Sequence, residues 1–164
     1  MSTGFHTFNL KNIKKIVVSI AIPLLVGVLS AFLSGNQSGS YTALVLPPLS
    51  PPSWVFAVVW PILYVLMGIS AYLVSSTQAE AGLKKRAFVL YAFQLVFNFF
   101  WSIWFFRFEL LSFSFLWILL LFALVILTAL AFYDINRLAG WLFLPYIAWL
   151  AFASYLNYMV WMLN

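Results

Sequence analysis

The hydrophobic positions of the chain fall into five long apolar stretches rather than into short alternating runs. Each stretch is about 20 residues long, the length that a helix needs to cross a bilayer core while satisfying its own backbone amides. The pattern therefore predicts an all-α polytopic membrane protein, a bundle of five transmembrane helices. The predicted spans cover residues 16–34, 53–74, 87–106, 110–133 and 138–163.

The charged residues predict how these helices are oriented. Only 7% of the 164 residues are charged, far below the roughly one quarter that is usual in soluble domains. Seven of the eight Lys and Arg residues lie on one side of the bundle, in the basic tail of residues 1–15 and in the connections before spans three and five. The positive-inside rule then predicts a cytoplasmic N-terminus and an outside C-terminus. A bacterial plasma membrane is a separate expectation, which this rule does not supply. The basic excess favours membrane lipid over nucleic acid as a partner.

Residues 16–164 are expected to form one membrane domain, because the connections are too short for a second. The first apolar stretch is longer than the core of a signal peptide and lacks a convincing cleavage site, which favours a retained helix over a cleaved leader.

The spans lack the residues that most membrane pumps and metalloenzymes use. No Asp, Glu, Lys, Arg or His lies in the middle of a predicted span, His6 is the only histidine, and there is no cysteine. Proton relays and voltage sensors need an ionisable group at depth, and zinc or haem sites need suitable His, Cys or Met ligands. We therefore expect no metal site, no obligatory cofactor and no acid–base catalysis.

The third span carries a polar stripe. Gln94, Asn98, Trp101 and Phe105 are spaced by four, three and four residues, which places them on one face of a helix. An unpaired side-chain amide is costly in hydrocarbon, so this face should point into the bundle. Two interpretations remain open: the amides either join helices by hydrogen bonds, which the spacing alone favours, or supply the polar contacts of an apolar pocket.

Two tryptophans lie deeper than the interfacial belt that this residue usually occupies. Trp60 is followed at once by Pro61, and Pro145 precedes Trp149 by one helical turn. A proline inside a helix removes a backbone donor and frees a carbonyl, so both helices should bend or loosen beside a bulky ring. The two rings form either ordinary core packing or the wall of a cavity.

The first loop, residues 35–52, contains no charge. Its first half is polar and glycine-rich and is predicted to be a flexible hinge, whereas its second half is apolar and rich in proline. Prolines fix φ and extend the residue before them, so this half should be stiff and suits a lid over the bundle; a connector lying on the surface is the alternative. The predicted lid residues are Leu46, Pro47, Leu49, Pro51 and Pro52.

Three stretches of the chain resemble a known family. They are "PPLSPPSWVFAVVWPILYVLMGISAYLV", "FQLVFNFFWSIWFF" and "AGWLFLPYIAWLAFASYLNYMVWMLN". In order and spacing they resemble the signature regions of the tryptophan-rich sensory protein and translocator protein family, also called the TspO/MBR or peripheral benzodiazepine receptor family. The resemblance covers residues 41–164. It implies a five-helix bundle, often dimeric, whose pocket lies under the first loop and binds tetrapyrroles such as protoporphyrin IX, sterol-like lipids and isoquinoline or benzodiazepine drugs.

The resemblance also implies a set of ligand-contacting residues. Combined with the polar stripe, the predicted binding set is Trp60, Tyr64, Gln94, Asn98, Trp101, Phe105, Tyr146, Trp149 and Ala153. Two departures from the family pattern matter. Leu46 and Leu49 stand where the family loop has lysine and tryptophan, and no basic residue follows Arg137, so the sterol motif of the last helix is absent.

The expected function is a membrane receptor or sensor that holds a flat, mostly apolar ligand, a porphyrin by the resemblance, in a protein that forms a homodimer. One alternative is a porphyrin or lipid transporter, although the spans offer no coupling residue. Another is light-dependent porphyrin degradation, which the loss of the loop tryptophan makes weak. Gly27 and Ala31 form a small-xxx-small pair on the first span, too common a pattern to identify an interface.

Overall fold

The computed structural model describes residues 10–164, with side chains from residue 12 onward; the rest of the basic tail lies outside the described residues. Five of its helical segments are long and apolar enough to cross a membrane, which confirms the predicted all-α bundle of five spans in an integral membrane protein. A π-helical turn, Ile103–Arg107, extends the third span, and two helices share the fifth. The helices are α1 Leu10–Ser34, α2 Gln37–Ala43, α3 Ser53–Ser76, α4 Ala81–Ser102, α5 Leu111–Ile135, α6 Arg137–Trp141 and α7 Leu144–Leu163.

Two spans begin earlier than the hydrophobic pattern indicates. α1 starts at Leu10 rather than at residue 16, and α4 starts at Ala81 rather than at residue 87. Both extensions contain lysine, which is a good helix former although it is excluded from the bilayer core. Hydropathy marks where the membrane ends, and the helix continues beyond that point.

The polar half of the first loop is helical, so the prediction of a flexible hinge is wrong. Gly35 ends α1 with a φ of +78°, in the left-handed region that glycine adopts easily. Asn36 then caps α2, its side-chain oxygen accepting the Gly39 amide at 3.1 Å. Tyr41 is buried, and its ring packs edge-on against Phe56 of α3 at 5.1 Å. The cap and this contact hold the short helix on the bundle.

The two prolines beside the deep tryptophans differ in their settings. Pro61 lies inside α3, as predicted. Pro145 does not lie in the middle of a helix, contrary to the prediction, because the fifth span is interrupted at Leu142 and Phe143 and Pro145 occupies the first turn of α7. At that position the missing amide has no helical acceptor, so the proline costs no hydrogen bond.

α1 packs tightly against α3, and this contact shapes the side of the bundle described below. Gly68 faces the backbone of α1 at Ile20, and Gly27 of α1 faces the ring of Tyr64; at either position a β-carbon would collide. The main core lies between α3, α4, α5 and α7. Side chains that are at most 1% exposed and form this core include Met67, Ile118, Leu121, Phe132 and Leu150.

Candidate functional site

A cavity of about 330 Å³ lies between α1, α2, α3 and the end of α4. Among the described residues that line it, the polar side chains besides tyrosine and tryptophan are Gln37, Ser38, Ser53 and Ser102, and none is charged. Such a cavity favours an uncharged, largely apolar ligand body, because a charge placed there would lose its hydration without gaining a counter-ion. The aromatic side chains that line it are Tyr41, Phe56, Trp60, Tyr64, Trp101 and Phe106.

Trp60 is the centre of the aromatic wall. Its ring stacks on Tyr64 with the ring centroids 5.7 Å apart, and it meets Trp101 at 6.2 Å. The indole nitrogen of Trp101 donates to Asn157 Oδ1 of α7 at 3.1 Å, which fixes that ring. Three aromatic rings from α3 and α4 thus form one side of the cavity, a surface on which a flat π-system can stack.

A buried hydrogen-bond chain holds Tyr64 in this wall. The Tyr64 hydroxyl donates to Asn98 Oδ1 at 2.7 Å, and Asn98 Nδ2 donates to the Tyr146 hydroxyl oxygen at 2.7 Å. All three side chains are at most 7% exposed. The chain therefore joins α3, α4 and α7 and orients the ring that faces the cavity. Asn98 acts here as a link between helices and does not itself line the cavity.

Gln94 lies further from the cavity on the same stripe. It is fully buried, as the stripe predicts, and Nε2 approaches the Met67 sulfur at 3.6 Å. Oε1 has no hydrogen-bond partner among the described residues. Gln94 therefore faces the core of the bundle, one turn of α4 below the hydrogen-bond chain.

Trp149 does not border the same cavity as Trp60. Its ring centroid lies 5.6 Å from that of Phe56, which lines the cavity, whereas Trp149 does not. Its buried indole nitrogen has no partner in the described part of the chain. The predicted binding set thus divides in two: Trp60, Tyr64 and Trp101 line the cavity, whereas six residues lie outside its lining. Those six are Gln94, Asn98, Phe105, Tyr146, Trp149 and Ala153.

The loop covers the cavity with α2 rather than with its proline-rich half. Gln37, Ser38 and Tyr41 of α2 line the cavity, and the Tyr41 hydroxyl donates to the Pro51 carbonyl at 3.0 Å. Burial raises the pKa of the Tyr41 phenol above its usual value, so it remains a neutral donor. The five residues predicted as the lid itself are not part of the cavity lining.

The proline-rich half is anchored to the end of α7 instead. The Asn164 side chain accepts from the Val45 amide at 2.9 Å and donates to the Val45 carbonyl at 3.1 Å. Leu46 and Pro47 are turned towards the bundle, whereas Leu49 is 79% exposed with a φ of +72°. The leucine that replaces the family's loop tryptophan therefore points away from the cavity.

Sequence reasoning missed the contribution of α1. Leu24, Gly27, Val28 and Ala31 form one wall of the cavity. The only signal was the small-xxx-small pair, which permits close approach but does not indicate a ligand. Within residues 10–164, no group of three or more His, Cys, Asp and Glu side chains lies together where it could hold a metal ion.

Comparison with known proteins identifies the family. The sequence model of the TspO/MBR family matches residues 19–162. The chain belongs to the TspO/MBR family. It is 37% identical over 155 residues to the tryptophan-rich protein TspO of Chlorobaculum tepidum, which covers 94% of this chain and 98% of that protein.

Two further relatives of the TspO/MBR family come from other organisms. The chain is 37% identical over 135 residues to the translocator protein of Homo sapiens, covering 80% of the chain and 79% of the relative. It is 33% identical over 124 residues to the tryptophan-rich sensory protein of Cereibacter sphaeroides, covering 76% of each. The family resemblance is thus confirmed, and membership of the family supports a role as a membrane receptor or sensor.

Proposed function

We propose that this protein is a membrane receptor or sensor that binds a flat, mostly apolar ligand of the tetrapyrrole class in the cavity beneath α2. The observation that carries the proposal is the stacked wall of Trp60, Tyr64 and Trp101 facing an uncharged cavity. Aromatic faces bind extended π-systems by offset stacking. The name of one relative, a tryptophan-rich sensory protein, agrees with a sensor.

The shape of the cavity determines how such a ligand would be held. Because its described lining carries no charge, the macrocycle would lie inside and its carboxylates would remain near the mouth. At an exposed edge of the cavity the Ser38 hydroxyl donates to Ser53 Oγ at 3.0 Å, which leaves the Ser53 hydroxyl as a donor there. A volume of about 330 Å³ is near the lower end of the roughly 300 to 1,000 Å³ of ligand pockets.

Protoporphyrin IX binding to a Trp60→Ala variant tests this function. We expect the dissociation constant to rise about tenfold, since the substitution removes one stacking face and its buried area. The measurement is a titration of the purified protein in detergent, followed by quenching of tryptophan fluorescence and by the porphyrin absorbance band.

The matched control is Trp141→Ala, because Trp141 is 56% exposed and does not line the cavity. Its affinity should equal that of the unmodified protein. Saturable binding that is equally strong in both variants would reject Trp60 as part of the site, and the absence of saturable binding to the unmodified protein would reject the tetrapyrrole class.

A further inference from the structure

A groove lies at the opposite end of the bundle from α2, between the start of α4 and the end of α5. Its volume is about 500 Å³, and it lies where both helices reach the end of their membrane-spanning segments. Most of its wall is apolar and exposed on the lipid-facing surface of the bundle. The apolar side chains of the groove include Leu83, Val89, Leu90, Leu127 and Leu130.

Both signs of charge line this groove, on opposite walls. Lys85 and Arg86 belong to α4, and Asp134 belongs to the last turn of α5. All three side chains are exposed. The preceding Lys84 is directed elsewhere, because its ammonium donates to the Ser75 carbonyl at the end of α3 at 3.1 Å.

This arrangement matches the chemistry of a zwitterionic aminophospholipid. A phosphate carries the negative charge that Lys85 and Arg86 would bind, and a primary ammonium carries three N–H donors that a carboxylate accepts. An acyl chain would fill the apolar groove below. A purely anionic headgroup has no ammonium to pair with Asp134, and its negative charge would be repelled by that carboxylate. A choline headgroup has no N–H to donate to it.

We propose that the groove between α4 and α5 binds a phosphatidylethanolamine, with the phosphate on Lys85 and Arg86 and the ammonium on Asp134. The site lies at headgroup depth, where basic residues at helix ends meet lipid phosphates. It shares no lining residue with the cavity under α2. Its test is therefore independent of tetrapyrrole binding.

Native mass spectrometry of the purified full chain in detergent tests this proposal. Palmitoyl-oleoyl phosphatidylethanolamine, phosphatidylcholine and phosphatidylglycerol are added in equal amounts, and the lipid retained by the protein is counted. The unmodified protein should retain phosphatidylethanolamine about threefold more than phosphatidylcholine, the size expected of an exposed charged pair. Asp134→Asn should abolish that preference without lowering retention of phosphatidylglycerol.

Two charge variants complete the experiment. The double variant Lys85→Gln, Arg86→Gln should lower retention of phosphatidylethanolamine about tenfold, because it removes both phosphate partners. Lys84→Gln is the matched control and should leave retention unchanged.

Equal retention of phosphatidylethanolamine and phosphatidylcholine by the unmodified protein would overturn the proposal. So would a preference that survives Asp134→Asn, or stronger retention of phosphatidylglycerol than of phosphatidylethanolamine, which would assign the groove to an anionic lipid. An equal loss in the Lys84→Gln control would show that net charge alone is responsible.

Discussion

Gly68→Ala should lower the free energy of unfolding by about 2 to 3 kcal/mol, at the upper end of the cost of overpacking. A β-carbon at this position would collide with Ile20, and it would lie 2.8 Å from the Ser19 carbonyl oxygen. These are backbone atoms of α1, so no side-chain rotation can relieve the clash. α1 would have to shift away from α3, which would also open one wall of the cavity.

The measurement is the thermal unfolding midpoint of the purified variant in detergent, followed by circular dichroism. Gly82→Ala is the matched control, because the nearest side-chain atom to its added β-carbon is Glu80 Oε1 at 3.3 Å, the end of a flexible side chain. Alanine is also the better helix former there, so the control should be neutral or slightly stabilised. A Gly68→Ala variant that melts with the unmodified protein would disprove the close contact of α1 with α3.

Asn98→Leu should lower the free energy of unfolding by about 2 to 4 kcal/mol. The substitution keeps the side-chain size and leaves the buried hydroxyls of Tyr64 and Tyr146 without the partners that they have at 2.7 Å. Each unpaired hydroxyl costs about 1 to 3 kcal/mol, although interhelical hydrogen bonds in membranes often contribute less. The ring of Tyr64 would also lose the bond that orients it towards the cavity.

The triple variant Tyr64→Phe, Asn98→Leu, Tyr146→Phe is the control for this prediction. It removes the unpaired hydroxyls together with the amide, so it should recover most of the stability lost by Asn98→Leu alone. Both variants are compared by thermal unfolding. If the triple variant is the less stable of the two, the loss arises from packing rather than from unpaired polar groups.

The five spans could be predicted because a helix that crosses a bilayer must be long and apolar, and hydropathy along the sequence is sufficient to recognise such a helix. The short helix α2 could not, because the serines and glycines around Asn36 are also typical of a flexible loop. Its stability depends on the bond from the Gly39 amide to the capping side chain of Asn36 and on the burial of Tyr41 against Phe56. The contact of Tyr41 with Phe56 is tertiary, so the local sequence does not reveal it. Pro145 was predicted to bend one continuous helix, whereas the helix is interrupted just before it. The sequence does not distinguish the two, since proline is compatible both with a bent helix and with the first turn of a new one.

The candidate site could be predicted only in part. The depth of Trp60 indicated a cavity or core role, and spacing placed Trp101 on an inward face. Depth and the family resemblance assigned Trp149 to the same cavity, but depth does not specify which neighbours a ring meets, and Trp149 contacts Phe56 without lining the cavity. The wall formed by α1 has no polar or aromatic residue that would indicate a site. Gly27 is needed there because a β-carbon would collide with the ring of Tyr64, a contact that the sequence does not reveal.

Filling the cavity with a larger side chain tests whether the ligand binds beneath α2. Ala57 lines the cavity on α3, and Ala123 is an exposed alanine on α5 that does not line it. Protoporphyrin IX is titrated against Ala57→Phe and Ala123→Phe, each first shown to melt like the unmodified protein. If the cavity beneath α2 is the ligand site, Ala57→Phe should raise the dissociation constant at least tenfold and Ala123→Phe should leave it unchanged. Equal affinity in the two variants would show that protoporphyrin IX does not bind in this cavity.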